Sequence, residues 1–104
     1  MHRVAFKMHL FPGFEKEYAR RHKEIWPDVQ QLLKQTGITD YSIFLDESTN
    51  TLFAVLKADN LQLLEELPQK EVIKRWWVYM KEVMEANPDN SPVSTPLKEV
   101  FYFP

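Results

Sequence analysis

The order of apolar and polar residues predicts three elements in the first half of the chain. Residues 3 to 11 alternate like a strand with one apolar side, and Pro12 and Gly13 end it. Apolar residues then recur at helical spacing up to Leu33, although Pro27 should kink this helix or restart it. A second strand is expected to follow Gly37, which fits the C-terminal cap of the helix.

The second half predicts a hairpin, a helix and a last strand. Two short apolar runs at 41 to 45 and 51 to 57 flank a polar turn of sequence DESTN. A second helical region spans residues 60 to 86 and is expected to be interrupted near Pro68. The proline-rich stretch NPDNSPVSTP then predicts a loop, and LKEVFYFP at residues 97 to 104 predicts the final strand.

This order predicts an α+β, ferredoxin-like fold. Strand, helix, strand, strand, helix, strand is the βαββαβ pattern in which a four-stranded antiparallel sheet carries two helices on one face. The strands at 51 to 57 and 97 to 103 are apolar on both faces, and such a sheet is usually covered on both. We therefore expect a pocket or a second subunit on the other face, and a homodimer is the natural choice. Residues 1 to 104 are expected to form one domain.

Composition excludes several classes of protein. The net charge of -2 gives no basic surface for nucleic acid, and no apolar run is long enough to cross a membrane. The start of the chain carries charges, unlike a signal peptide, and the absence of cysteine suits the cytoplasm. The histidines His2, His9 and His22 lack metal-ligand spacing, and the chain has no phosphate-binding glycine loop. No metal or cofactor is therefore expected.

One helical ridge carries a candidate for proton transfer. Tyr18, His22 and Trp26 follow one another at intervals of four residues, so they are expected to line one side of the first helix. Histidine is the side chain that can give or take a proton near neutral pH. Spacing alone leaves a structural alternative open, in which His22 is partly buried and hydrogen-bonded to a carbonyl.

Two adjacent tryptophans raise a second question. Trp76 and Trp77 lie about 100° apart around a helix, so both could belong to one wide core stripe. Alternatively, at least one indole forms the wall of a site, where a flat ring suits the C–H face of a sugar. The amides and acids of the loop, Asn87, Asp89 and Asn90, could bind a polyol, unless the loop is a solvated linker.

Five segments together resemble the L-rhamnose mutarotase family. They are EYARRHKEIWP, YSIFLD, RWWVYM, NPDNSPVS and EVFYFP, in the order of the family and over the whole length. The resemblance implies a cofactor-free isomerase that interconverts the α and β anomers of L-rhamnopyranose, with a dimeric α/β-barrel fold. It also implies that His22 is the proton donor. The substrate contacts that it implies are Tyr18, Tyr41, Trp76 and Trp77.

Two other functions compete with this one. A haem-degrading or quinol-oxidising monooxygenase of the same fold would use His22 as a haem ligand or base, and a Soret band would reveal it. A non-catalytic sugar-binding module would need the same aromatic residues but no acid at position 22.

Overall fold

The computed structural model describes residues 1 to 104, and the predicted ferredoxin-like architecture is confirmed. The strands are β1 (His2–His9), β2 (Ile38–Asp46), β3 (Thr51–Ala58) and β4 (Thr95–Leu97). The helices are α1 (Glu15–Lys23), α2 (Pro27–Gln35), α3 (Leu61–Glu66) and α4 (Glu71–Met80), with a 3-10 turn at Leu67–Gln69. The strands form one antiparallel sheet in the order β2-β3-β1-β4. None of the helices combines the length and apolarity required to cross a membrane.

The core lies between one face of the sheet and the helices. Alternate residues of β3 are buried, because side chains of a strand point to opposite faces in turn. Leu52 and Ala54 pack with Ile73, Trp76 and Met80 of α4 in the main cluster. Fully burying a side chain the size of Leu or Met stabilises the fold by roughly 1.5–3 kcal/mol, so this face holds the helices in place.

Prolines divide both predicted helical regions into two helices. Pro27 restarts the first region, since proline has no N–H to lose at the first turn of a helix. Trp26 precedes it in an extended conformation, so the expectation that Trp26 continues the ridge of α1 is wrong. Pro68 lies in the 3-10 turn between α3 and α4, as expected. Gly37 follows α2 with φ +81°, the conformation that glycine adopts without strain.

The second helical region ends earlier than the sequence predicts. α4 stops at Met80, whereas apolar spacing extended the helix to residue 86. Val83 and Met84 are buried, but they belong to a turn and to a bridge with Leu10. This segment bonds to the end of β1 and to the residues after it instead of continuing the helix. The Phe11 N–H donates to the Val83 carbonyl at 3.0 Å, and the Glu85 N–H donates to the His9 carbonyl at 2.9 Å.

The predicted final strand at residues 97 to 104 is also wrong. β4 covers only Thr95–Leu97, and the following residues form no strand. Their aromatic side chains stay exposed, Phe101 by 77% and Phe103 by 81%. Arg3 holds this tail by an ion pair with Glu99 and by lying 3.2 Å from the centre of the Tyr102 ring. No strand of the same chain pairs with the tail, and its phenylalanine rings stay uncovered, so its apolar residues do not form a strand.

The outer face of the sheet, which points away from the helices, is apolar in places. Phe44 of β2 lies opposite Phe53 of β3, and Val55 lies opposite Ala5 of β1. Phe44 and Val55 are exposed, as is Leu97 in β4. This face therefore has the apolar character that the alternation in β3 predicted.

Candidate active site

A bulge in β2 directs Tyr41 towards the helices. The strand has one extra residue between Thr39 and Ser42, so the backbone of Asp40 and Tyr41 lies opposite the single residue Leu56 of β3. Asp40 adopts φ 49°, a left-handed conformation that few non-glycine residues take and that marks a bulge. Because Leu56 is buried under the helices, the bulge brings Tyr41 to the same side of the sheet.

Tyr41 and Tyr18 form a pair of protonated phenols. Burial raises the pKa of Tyr41 to about 12, although 39% of the residue is exposed. Burial raises the pKa of Tyr18 further, and the nearby Tyr41 adds to the effect. Both hydroxyl groups therefore keep their protons at neutral pH and can donate hydrogen bonds, but they are poor bases.

His22 lies one turn beyond Tyr18 on α1, with the two ring centres 4.4 Å apart. Its Nδ1 is 3.1 Å from the backbone carbonyl oxygen of Tyr18. A carbonyl only accepts hydrogen bonds, so Nδ1 donates and Nε2 keeps the free electron pair of the neutral ring. His22 is thus hydrogen-bonded to a carbonyl, as the structural alternative expected. The same bond fixes the tautomer that leaves Nε2 available for chemistry.

Burial sets the charge of His22. It lowers the pKa of the imidazole below its ordinary 6.5, and the hydrogen bond to the Tyr18 carbonyl opposes this only in part. The ring is therefore mostly neutral at pH 7 and is ready to accept a proton at Nε2.

Trp76 closes the site on the side of α4. Its ring meets His22 edge-on, with centres 5.6 Å apart, and meets Trp26 at 5.1 Å in the same manner. Trp26 in turn stacks on Tyr79 at 5.3 Å. Trp26 therefore joins this cluster from the start of α2 rather than from α1. Tyr79 was missed by sequence reasoning, although its position three residues after Trp76 places it beside that ring on a helix.

Trp77 lies on the other flank of α4. It is half-buried and lines a groove of about 610 Å³ between α4 and the loop at residues 87 to 94. Lys74 and Arg75 line the same groove on α4, and Asp89 and Asn90 line it on the loop. The structure thus brings Tyr18, His22, Tyr41 and Trp76 together and places Trp77 on a separate surface.

The loop at residues 87 to 94 is a compact turn. The Asn87 N–H donates to the Ser91 carbonyl at 2.7 Å, and the Asn87 side-chain amide donates to Ser91 Oγ at 3.1 Å. Asp89 accepts the Ser91 N–H at 3.0 Å, and Lys81 donates to the Asn90 side chain at 2.9 Å. Most of the amides and acids that we expected to face a polyol are therefore used to fold the loop itself.

Comparison with known proteins identifies the family. The sequence model of L-rhamnose mutarotases matches residues 3–103. An L-rhamnose mutarotase of Formosa agariphila is 51% identical over 102 residues, which cover 98% of both chains. One of Brucella anthropi is 52% identical, over 98% of this chain and 96% of that protein.

Comparison of the folds agrees. A crystal structure of an L-rhamnose mutarotase from Formosa agariphila superposes with a TM-score of 0.93 at 49% identity over all of both chains. An antibiotic biosynthesis monooxygenase superposes with a TM-score of 0.62 at 12% identity, which shows a common fold alone. Since the similarity to the mutarotases extends over nearly the whole sequence and the whole structure, this chain belongs to the L-rhamnose mutarotase family.

Proposed function

We propose that the protein is an isomerase that interconverts the α and β anomers of L-rhamnopyranose without a cofactor. The observation that carries this function is the similarity of the chain to L-rhamnose mutarotases over 98% of its length. The cluster of His22 with aromatic residues supports it, because it combines a proton-transfer group with walls that suit a sugar.

Mutarotation requires two proton transfers and no redox change. The pyranose opens to the aldehyde, the bond between C1 and C2 rotates, and the ring closes on the other face of C1. Opening removes the proton of the anomeric hydroxyl and delivers a proton to the ring oxygen, and closing reverses both transfers. General acid–base catalysis of such steps typically contributes about 10²- to 10⁴-fold in rate.

His22 is the proton-transfer residue in this proposal. Because its imidazole is mostly neutral at rest, Nε2 first accepts a proton from the sugar and then returns it as the proton donor. Tyr18 and Tyr41 keep their own protons, so their role is to donate hydrogen bonds to sugar oxygens. A water molecule can carry the second proton, because Tyr18 and Tyr41 beside His22 keep their own protons.

The tryptophans supply apolar contact in this proposal. Trp76 offers its ring to the C–H face of the sugar beside His22, and Trp77 would reach the substrate from the groove on the other flank. Rhamnose carries a methyl group where most hexoses carry a hydroxymethyl group. An aromatic wall favours the methyl group, because it would leave a buried hydroxyl without a hydrogen-bond partner.

Saturation-transfer proton NMR tests the function directly. Irradiation of one anomeric signal of L-rhamnose should reduce the other signal when catalytic amounts of protein are present. Transfer no greater than in buffer alone would refute the proposal. A Soret band in the purified protein would instead favour the monooxygenase alternative, which has only the shared fold in its support.

We further propose that the enzyme is a homodimer that buries the outer face of the sheet. Phe44 and Val55 are exposed there, and the aromatic tail at residues 100 to 103 is exposed beside β1. Single chains rarely leave large contiguous apolar patches exposed to water. A second copy would cover the face and give the tail a partner.

We place this enzyme in the cytoplasm because the chain contains no cysteine.

Sedimentation of two variants tests the dimer. Phe44→Glu puts a charge on the outer face and should yield monomers at micromolar concentration. Val78→Glu is the matched control, since Val78 is also an exposed apolar residue but lies on α4. A wild-type protein that sediments as a monomer would contradict the proposal, as would a Phe44→Glu variant that still sediments as a dimer.

A further inference from the structure

Arg21 is a largely buried arginine beside His22 in sequence. Only 10% of its side chain is exposed, although arginine is rarely buried unless it is paired. Its Nε donates to Glu17 on the same helix at 2.7 Å, and its Nη2 donates to Glu82 at 2.9 Å. Its Nη1 donates to the backbone carbonyl of Tyr79. The last two of these hydrogen bonds join α1 to the turn that follows α4 and to α4 itself.

The carbonyl of Tyr79 explains why a cation belongs at this point. It lies in the last turn of α4, where carbonyl groups have no partner within the helix. The negative end of the helix dipole also favours a positive charge there. The guanidinium group lies over the ring of Tyr79, 4.0 Å from its centre, and so contacts both the main chain and the side chain of that residue.

The contacts of Tyr79 continue to the site. Tyr79 stacks on Trp26, and Trp26 meets Trp76 edge-on. Trp76 meets His22, which follows Arg21 directly on α1. The two helices that carry His22 and Trp76 are therefore joined by aromatic rings and by the guanidinium group that lies on one of them.

We propose that Arg21 is a positioning residue that sets the placement of His22 against Trp76 during proton transfer. This inference rests on the proposed mutarotase function. Arg21 does not touch the reacting atoms in this proposal. It acts by holding α1 to the end of α4. No other side chain could replace it, since only a guanidinium group has a planar fork of donors that reaches three acceptors at once.

Arg20 provides a matched control on the same helix. It has the same charge and also pairs with Glu17, at 2.7 Å, but it is half-exposed. Its other carboxylate partner, Glu24, lies at the C-terminal end of α1 and not on α4. Arg20 comes near α4 only at the hydroxyl end of Tyr79 and makes no bond to the main chain there.

The experiment compares kcat and KM for anomer exchange in Arg21→Lys, Arg21→Met and Arg20→Met, with folding verified by thermal unfolding. Displacing a reacting group by about 1 Å can cost about 100-fold in rate, so Arg21→Met should lose about 10- to 100-fold in kcat. Arg21→Lys should lose less, because it keeps the charge and one donor. KM should change little in both variants, and Arg20→Met should keep the wild-type kcat.

Other outcomes would overturn the inference. They are an unchanged kcat in both Arg21 variants, an equal loss in Arg20→Met, and a change confined to KM. If Arg21→Met does not fold, Glu82→Gln weakens the same contact from an exposed position and should lower kcat in the same direction. An unchanged kcat in Glu82→Gln would then count against the inference. Absence of exchange in the wild-type protein would refute the mutarotase function instead.

Discussion

The two flanks of α4 differ in chemistry although Trp76 and Trp77 are adjacent in sequence. On one flank, Trp76 is buried against His22 and Trp26. Burial there lowers the pKa of His22 and so favours its neutral form. On the other flank, Trp77 lines an open groove whose other residues are mostly charged or polar. Asp89 there stays ionised, because hydrogen bonds from Ser91 hold its pKa below the ordinary 3.8.

This difference shows that an aromatic residue alone does not define an active site. Proton transfer at neutral pH needs a group that can change its charge there, and only the flank of Trp76 has one, His22. The groove beside Trp77 can contribute binding, but none of the residues that line it is a histidine. We therefore expect loss of His22 on the first flank to affect turnover, and changes on the second flank to affect affinity.

Removal of His22 should produce the largest difference between the flanks. His22→Ala is expected to lower kcat by about 10²- to 10⁴-fold, the usual contribution of general acid–base catalysis. KM should change little, because proton transfer acts mainly in the transition state. Exchange rates from saturation-transfer NMR provide the measurement, and His9→Ala serves as a control at a half-exposed histidine. Near-normal turnover in folded His22→Ala would remove the chemical distinction between the flanks.

Replacing each tryptophan in turn should separate the flanks by stability. Trp76→Ala should lower the free energy of unfolding by about 3–5 kcal/mol, the range for large aromatic residues removed from a core. Trp77→Ala should cost less, since Trp77 is half-buried at the groove. Urea unfolding monitored by circular dichroism measures both. Equal losses would mean that the two indoles serve the core alike, as one continuous stripe.

The pH dependence of turnover should report on the first flank alone. A working form with neutral His22 is protonated as the pH falls through its lowered pKa, so kcat/KM, which reports on the free enzyme, should decline on the acidic side of the ordinary 6.5. The pKa values of Tyr18 and Tyr41 are raised, so the phenols should add no further change near neutral pH. Activity that rises as the solution becomes acidic through the same range would show that protonated His22 starts the reaction.

The sequence predicts the elements of this fold well, because periodicity records which side chains are buried. It places the restart at Pro27, the hairpin between β2 and β3 and the break at Pro68. It fails where main-chain pairing decides the structure. Val83 and Met84 continue the apolar spacing of α4, but their backbone pairs with β1 and the helix ends at Met80. The tail at 98 to 104 has the composition of a strand but no partner within one chain.

The candidate site was less predictable than the fold. Spacing on one helix correctly relates Tyr18 to His22, and only the resemblance to the family suggests Tyr41. The bulge at Asp40 brings Tyr41 to the helix side, and no local pattern reveals a bulge that changes the face of a residue. Trp26 contacts Trp76 although it lies after the break between α1 and α2, and Arg21 contacts α4 through a hydrogen bond to the Tyr79 carbonyl. Such contacts depend on how the helices pack, which periodicity does not encode.

The smallest expected effect concerns the loop on the second flank. Asp89→Ala removes the acceptor that holds Ser91, and a typical hydrogen bond contributes about 0.5–1.5 kcal/mol, so the loop should loosen without unfolding the protein. Asp46→Ala is a close control. Asp46 accepts hydrogen bonds from Ser48 in the same pattern, but it ends β2 next to the hairpin turn and does not line the groove.

If Trp77 contacts the sugar, the loop opposite it should respond to the substrate. Saturating L-rhamnose should slow amide exchange at residues 87 to 94 in the wild-type protein, because a sugar in the groove would restrict the opening of the loop. Asp89→Ala should weaken affinity modestly and leave kcat unchanged, whereas Asp46→Ala should change neither. If exchange in the loop stays fast with rhamnose and Asp89→Ala binds normally, the sugar lies wholly on the flank of Trp76. Trp77 would then be a partly exposed residue of the fold, and His22, Tyr18, Tyr41 and Trp76 would form the entire site.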